Sequence, residues 1–149
     1  MQLREDLAQR LLLACADLTR AVTAAADDTR LSLTQARVLG NLDRHGPLRV
    51  SRLAELEHCA QPSMTGLVGR LATAGFASRS TDPDDARAVL VAVTPAGRDE
   101  LARHRVLLRE PLVRAVGDRG PDDLTELARV TELLEGLSGS VRAGVPAPR

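Results

Sequence analysis

Apolar residues recur every three or four positions along residues 3 to 26, which is the spacing of an amphipathic helix. The same spacing returns over residues 34 to 45, 98 to 116 and 121 to 137, and two shorter helical segments, 52 to 57 and 61 to 74, lie between them. Strand-like segments are confined to residues 76 to 80 and 88 to 93, the second of which is rich in valine. The pattern therefore predicts a mainly α chain of about six helices with a short strand pair.

The predicted helices begin at residues that favour the first positions of a helix. These residues are Ser32 or Thr34, Ser51, Pro62 after Gln61, Thr94 with Pro95, and Pro121. Pro111 lies inside the fifth helix and is expected to kink it, because proline cannot donate a backbone hydrogen bond. From Gly139 to residue 149 the sequence is rich in Gly, Ala and Pro, which predicts a disordered tail.

Residues 50 to 97 follow the order helix, turn, helix, strand, acidic turn, strand. This order predicts a winged helix-turn-helix with a wing of two or three strands. In such a unit the second helix enters the DNA major groove, and the wing contacts an adjacent minor groove or the backbone. In the second helix Met64, Leu67 and Leu71 share the buried side. The positions left to project outward are Ser63, Thr65, Gly66 and Arg70.

Both halves of this segment resemble the multiple antibiotic resistance regulator (MarR) family. The matching residues are Leu53-Ala54-Glu55-Leu56, residues 61 to 65, Leu67-Val68, Arg70-Leu71, Gly75-Phe76, Arg79, Asp82-Pro83, Asp85, Arg87, Leu90-Val91 and residues 93 to 97. The resemblance is close over residues 34 to 98. In the flanking helices it extends only to their length and order.

The resemblance implies one domain over residues 1 to 149, with a DNA-binding unit at 34 to 97 and dimerisation helices at 3 to 26 and 98 to 138. The homodimer would present two recognition helices to an inverted repeat in double-stranded DNA, with half-sites about one helical turn apart. Family members are mostly autoregulatory repressors. They leave DNA when a small, often phenolic or anionic, ligand or an oxidant acts at the junction between dimerisation and DNA-binding parts.

The resemblance also implies which residues contact DNA. On the second helix, Gln61, Ser63, Thr65 and Arg70 would reach base edges or phosphates. In the wing, Arg87 would enter the minor groove, with Asp85 orienting its guanidinium. This chain has Gly66, Gly69 and Ala86 at positions where the family commonly has larger polar or charged residues. Arg70 and Arg87 are therefore expected to contribute more of the affinity for DNA. The candidate DNA-contacting residues are Ser51, Gln61, Pro62, Ser63, Thr65, Arg70, Arg79, Asp85 and Arg87.

Charge along the chain agrees with a DNA-binding centre, although the formal net charge is zero. Residues 1 to 29 carry three arginines against five acids, residues 30 to 109 carry twelve against eight, and residues 110 to 149 carry five against seven. The positive excess therefore lies with the predicted DNA-binding unit. All twenty cations are arginine, a composition that a GC-rich genome would also produce.

Several classes of protein are disfavoured by the sequence. No apolar run reaches the roughly 18 to 20 residues of a membrane span, and the acidic and basic start is unlike a secretory leader, so a soluble, cytoplasmic protein is expected. An enzyme is not expected either, because no phosphate-binding glycine loop, nucleophile elbow or carboxylate cluster is present. The histidines and cysteines lack zinc-like spacing, so neither a metal nor a cofactor is predicted.

Two alternatives stay open. A redox-sensing regulator could use Cys15 or Cys59, although the organic-hydroperoxide branch of the family surrounds its reactive cysteine with tyrosines and this chain has none. A winged helix could also serve as a protein-interaction module, which would lack the steep salt dependence of a DNA-binding protein. For a small-molecule effector, Arg37 is a conceivable carboxylate partner or else a surface residue, and regulation by abundance alone needs no effector.

Overall fold

The computed structural model describes residues 2–26 and 29–144. Within them the chain forms six helices and one antiparallel sheet of three strands. The elements are α1 (Gln2–Ala25), α2 (Leu33–His45), β1 (Leu48–Arg49), α3 (Val50–Leu56), α4 (Gln61–Thr73), β2 (Ala77–Asp82), β3 (Asp85–Val93), α5 (Pro95–Gly117) and α6 (Pro121–Gly144). The prediction of a mainly helical winged helix-turn-helix is confirmed.

The hydrophobic core lies where α2, α3 and α4 pack against the sheet and the first turns of α5. Leu39, Leu53, Met64 and Leu71 are fully buried there, and Leu101 extends the core onto α5. Burying a side chain of this size stabilises a fold by about 1.5–3 kcal/mol. The core therefore fixes α4, the predicted recognition helix, rigidly against the rest of the unit.

Two predicted helix caps have different outcomes. Of the two residues predicted as possible caps of α2, Ser32 and Thr34, Ser32 is the cap, and its hydroxyl and the Gln35 side chain form a reciprocal capping box. The prediction that Ser51 caps α3 is wrong, because α3 begins at the buried Val50 and Arg49 holds the cap position without a side-chain hydrogen bond. The pairing of β1 with β3 carries the chain straight into the helix, which places Ser51 in the first helical turn.

The turn between α3 and α4 is made by His58, where other helix-turn-helix proteins commonly have glycine. His58 has a φ of 50°, in the left-handed region that side chains rarely adopt. Its N–H donates to the carbonyl of Glu55, and the N–H of Cys59 donates to that of Ala54. These bonds satisfy the carbonyls that the end of α3 would otherwise leave free.

The wing is longer than the sequence indicates. The sequence predicts a first strand that ends at residue 80 and a second that begins at 88, whereas β2 runs to Asp82 and β3 starts at Asp85, leaving a two-residue turn. The strand order is β1-β3-β2, with a register irregularity between Thr81 and Asp82. Pairing with β3 thus extends the strands through residues whose own preferences favour a turn.

The wing is joined to α5 through Thr94. Its hydroxyl accepts the Gly97 N–H at 3.0 Å, as predicted for a helix cap, and donates to the carbonyl of Gly75 at 2.7 Å. Gly97 is needed here because a Cβ at this position would lie 2.0 Å from the carbonyl oxygen of Phe76. The close approach fixes the start of α5 against the start of β2.

Helices α1 and α6 and the second half of α5 bury little within one chain. Helix α1 has no buried residue, although its leucines recur at helical spacing. Leu3, Leu12 and Leu133 are 82%, 68% and 66% exposed. Apolar patches on this scale mark interaction surfaces in soluble proteins.

The structure also refines two predictions about helix ends. Helix α5 continues through Pro111, and its kink stays a prediction. Helix α6 continues to Gly144, so the prediction of a disordered tail is wrong for residues 139–144, where backbone hydrogen bonding extends the helix. The remainder of the predicted tail lies outside the described residues.

Candidate nucleic-acid interface

A groove of about 260 Å³ separates the start of α4 from the wing, and we call it the wing groove. It is lined by Arg49, Val50, Ser51, Gln61, Thr65, Arg79, Asp85, Arg87, Ala88 and Val89. Six of the nine candidate DNA-contacting residues therefore come together at one surface, from α3, α4, β2 and β3. Among the residues that line the groove, three arginines face one acid.

The other three candidates, Pro62, Ser63 and Arg70, are exposed on α4 but do not line the wing groove. The Arg70 guanidinium extends back over Gly66, since a Cβ there would lie 3.7 Å from its Nη1. The missing side chain at position 66 thus leaves room for Arg70 along the exposed face of α4. A Cβ added to Gly69, by contrast, would lie within 4 Å of no described atom beyond its chain neighbours and the nearby backbone of α4.

The start of α4 carries a positive partial charge that neither its cap residue nor its first turn neutralises. Ala60 is the cap residue and makes no side-chain hydrogen bond, and the first turn contains no acid. The Thr65 hydroxyl donates to the carbonyl of Gln61 at 2.9 Å, which leaves its oxygen able to accept. Helix N-termini of this kind favour phosphate oxygens.

Asp85 shapes the wing backbone. Its Oδ1 accepts the backbone N–H of Arg87 at 3.0 Å, and the structure shows no bond from this carboxylate to the Arg87 guanidinium. The expected orienting role is therefore not the interaction seen; the carboxylate stabilises the main-chain turn at the start of β3. The exposed Arg87 side chain stays available to a partner.

The acid that holds an arginine at the groove is Asp82, which sequence reasoning missed. Its Oδ2 accepts from Nε of Arg49 at 2.6 Å, and its Oδ1 accepts the backbone N–H of Asp84 at 2.9 Å. The hydrogen bond from Asp84 and the Arg49 guanidinium lower the pKa of Asp82, although burial opposes them. The two partners lie 33 positions apart, so no local sequence signal could have paired them.

A second concave site, which we call the interhelix cavity, measures about 800 Å³ and lies between α2, α3 and α5. Arg37 lies on its wall, but its Nε already donates to Glu57 at 2.8 Å, and Asn41 donates to the same carboxylate at 3.0 Å. Arg37, the suggested carboxylate partner for a ligand, thus has a protein carboxylate as its partner. His104, one of the histidines scattered along the sequence, lies buried on this wall.

The cysteines occupy different surroundings. Cys15 is exposed within one chain and lines an apolar cavity between α1 and α6, and Cys59 is half-buried against the core. Over residues 2–26 and 29–144, no group of three or more histidines, cysteines or acids is arranged to hold a metal ion. None of the helices in the same residues is long and apolar enough to cross a membrane.

Comparison with known proteins agrees with this geometry. A sequence model of the MarR family matches residues 31–89. An uncharacterised HTH-type transcriptional regulator of Mycobacterium leprae is 31% identical over 128 residues, which cover 86% of this chain and 90% of the relative. The chain belongs to the MarR family. Its DNA-binding, transcription-regulating role follows from this membership, and members of the MarR family are transcriptional regulators, not enzymes.

Solved structures show the same fold. RV1404 from Mycobacterium tuberculosis superposes with a TM-score of 0.76 and 27% identity, covering 97% of each chain. BpsR of Bordetella bronchiseptica, whose DNA binding is described as regulated by 6-hydroxynicotinic acid, superposes with a TM-score of 0.69 and 24% identity over 88% of this chain and 91% of that one. The MarR fold therefore extends over nearly the whole chain, including α1 and α6.

Proposed function

We propose that this MarR-family protein is a homodimeric repressor that binds an inverted-repeat operator, including one in its own promoter, and that a small ligand releases it. The wing groove is the observation that carries this proposal. It places Arg79 and Arg87 from the wing opposite Gln61 and Thr65 from α4, so one subunit can contact a wide groove and the neighbouring backbone at once.

Within this interface we assign two kinds of contact. Ser63 and the free N–H groups at the start of α4 bind phosphate, and Gln61, Thr65 and Arg70 reach base edges. Arg87, at the exposed wing, enters the minor groove, where narrow A·T-rich segments attract arginine. Arg49 joins the phosphate-binding group, because Asp82 fixes its guanidinium beside the groove.

Dimerisation is supported by the apolar surface of α1, α5 and α6. Leucines on these helices stay exposed in one chain, and a second copy would bury them. Two recognition helices related by a two-fold axis then match two half-sites about 34–36 Å apart, or a multiple of that distance. The family relationship supports the same assembly.

The proposal is tested with Arg87→Ala on a duplex from the protein's own upstream region. Each dimer loses two cations that neutralise backbone charge along the minor groove, so the slope of log K against log salt should fall in magnitude by about 1.8, since each neutralised phosphate contributes roughly 0.9. Arg109→Ala is the matched control. This exposed arginine lies on α5, about 21 Å from Pro95, where the helix leaves the wing, at a rise of roughly 1.5 Å per residue.

Two results would contradict the proposal. If Arg87→Ala binds with the wild-type affinity and salt slope, the wing does not contact DNA. If the wild-type protein protects no specific segment of its upstream region in footprinting and its binding lacks salt dependence, the domain serves another purpose, such as docking to a protein.

The proposal of ligand control is supported by BpsR, which is similar in fold, and by the interhelix cavity in this chain. The cavity lies between the helix-turn-helix and α5, the helix that leads to the proposed dimer interface. A ligand that binds there can change the angle between the two parts, and with it the separation of the recognition helices.

A further inference from the structure

The ion pair between Asp82 and Arg49 joins the tip of the wing to the start of α3. Asp82 is the last residue of β2 and Arg49 the last of β1, and their side chains meet at 2.6 Å although β3 lies between these strands in the sheet. The Asp82 side chain is 6% exposed, whereas that of Arg49 is 45% exposed. Because the carboxylate is shielded from water, it depends on its protein partners more than the guanidinium does.

The other oxygen of Asp82 holds the turn at the tip of the wing. Oδ1 accepts the backbone N–H of Asp84 at 2.9 Å, while Oδ2 accepts from Arg49. A carboxylate that accepts an N–H two positions further on stabilises a turn of this kind. Both oxygens are therefore in use, and one side chain connects the tip of the wing to the strand that leads into α3.

Arg87 lies in the irregular part of the wing, which Asp82 closes. Thr81 of β2 pairs with Val89 of β3, but the next residue, Asp82, pairs with Asp85. The register thus skips three residues of β3, and Arg87 is the middle one. Irregularities of this kind re-aim the side chains within them. The direction of the Arg87 side chain therefore depends on what holds the ends of the skipped segment.

Two carboxylates hold this segment in different ways. Asp85 accepts the Arg87 N–H at 3.0 Å, which is a contact inside the wing itself. Asp82 instead connects the wing to Arg49, and Arg49 and Arg87 both line the wing groove opposite the start of α4. The local turn does not need Asp82 alone, but the position of the turn relative to α4 does.

From these contacts we infer that Asp82 is a positioning residue for DNA binding, which holds Arg87 at a fixed place opposite α4 through Arg49 and the Asp84 N–H. Its carboxylate is shielded and would be repelled by phosphate, so it acts through the groups that it holds. A wing that is fixed beforehand binds DNA without the entropy cost of ordering it there. The inference rests on the proposed function and adds the residue that prepares the wing for it.

This role predicts an effect opposite in sign to that of charge alone. Asp82→Asn and Asp84→Asn each remove one negative charge per chain from the wing. Charge alone predicts that both variants bind DNA more tightly, because each loses repulsion from phosphate. Positioning predicts instead that Asp82→Asn weakens binding to the operator, while Asp84→Asn keeps or raises it.

The experiment measures binding of the full-length protein to two DNA duplexes by fluorescence anisotropy. One duplex is the segment of its own upstream region that footprinting shows to be protected, and the other has the same base composition in shuffled order. Asp82→Asn should weaken binding to the operator duplex about tenfold or more, since residues in one network couple by roughly 2- to 150-fold per subunit. Its binding to the shuffled duplex should stay equal or rise. Asp84→Asn, the matched control, should weaken neither.

A double-mutant cycle tests whether Asp82 acts through Arg87. Adding Asp82→Asn to Arg87→Ala should change the operator affinity by no more than about twofold, because the positioned arginine is already absent. A general role in folding would make the two losses add. Arg49→Gln breaks the same ion pair from its half-exposed end and repeats the test if Asp82→Asn does not fold. Part of its loss should likewise disappear in the Arg87→Ala background.

Three results would overturn the inference: operator affinity of Asp82→Asn at or above that of the wild type, equal weakening on both duplexes, or additive losses in the cycle. These failures differ from a failure of the proposed function. If Arg87→Ala loses affinity and salt slope as proposed while Asp82→Asn binds the operator like the wild type, the inference fails alone. If the wild type binds both duplexes alike and without salt dependence, the proposed function fails and the inference fails with it.

Discussion

Substituting Gly97 by alanine should destabilise the protein strongly, although the change adds one methyl group. Its Cβ would lie 2.0 Å from the carbonyl oxygen of Phe76 and 2.9 Å from the carbonyl carbon, far inside van der Waals contact. The carbonyl cannot rotate away freely, because it also accepts the Thr94 N–H at 3.1 Å. Either α5 moves away from β2 or this hydrogen bond is lost.

The expected cost combines two effects. Overpacking a rigid site costs about 1–3 kcal/mol, and a lost backbone hydrogen bond adds roughly 0.5–1.5 kcal/mol. We therefore expect the Gly97→Ala variant to lose about 2–4 kcal/mol of unfolding free energy, which is a drop of roughly 5–15 °C in Tm for a chain of this length.

Gly69→Ala is the matched control. It places the same methyl group on α4, where the new Cβ would meet no described atom within 4 Å beyond its chain neighbours and the nearby helix backbone. Alanine is favoured over glycine in a helix by up to about 1 kcal/mol. Both variants are melted by circular dichroism at one protein concentration, since dimerisation couples Tm to concentration. If Gly97→Ala melts at or above the wild-type Tm, the close contact between α5 and β2 does not exist.

Three further predictions concern the dimer surface and two titratable groups. Leu133→Glu should produce monomers in size-exclusion chromatography with light scattering, because it puts a charge on an exposed apolar face of α6. The control variant Thr131→Glu, on the same helix, should stay dimeric. A dimeric Leu133→Glu variant would argue against α6 as an interface. The lowered folded-state pKa of Asp82 means that its stabilisation is present above about pH 3.9 and is lost as pH falls through the folded value. When urea denaturation curves are recorded at several pH values, the free energy of unfolding should therefore fall less with decreasing pH in Asp82→Asn than in the wild type, while the exposed Asp84→Asn should behave like the wild type. An equal fall with pH in the wild type and Asp82→Asn would be evidence against the pairing. Burial lowers the pKa of His104 in the folded protein, although the nearby Glu100 opposes this shift. The free energy of unfolding should therefore decline as pH falls below about 6.5 towards the pKa of the folded state. His104→Leu should remove that decline, and an unchanged pH profile in this variant would mean that a different group causes it.

The elements that the sequence predicts correctly are those whose deciding interactions are local. The period of apolar residues located all six helices, and Ser32 and Thr94 marked two starts because their hydroxyls bond to backbone groups only three positions away. The wing sequence likewise placed the strand pair. In each case the deciding interactions join residues that are close in the sequence, so a linear pattern contains them.

The predictions for Ser51 and Asp82 failed because residues distant in the sequence decide the local geometry there. Ser51 looked like a cap until strand pairing of Leu48 and Arg49 with β3 moved the helix start. The sequence places Asp82 in the acidic turn between the two strands, but it forms a partly buried ion pair with Arg49, 33 positions earlier. Both errors have the same origin: long-range pairing outweighs local preference.

By itself, then, the sequence determined the kind of protein, because family-specific residues at fixed spacing and helical periods are properties of the chain. Only the tertiary structure decided which candidates share the wing groove, that Gly97 lies against the carbonyl of Phe76, and that His104 is buried with no partner among the described residues. These facts depend on how helices and strands pack at distances of a few ångströms. No one-dimensional pattern records such distances, because each is set by residues from several elements at once.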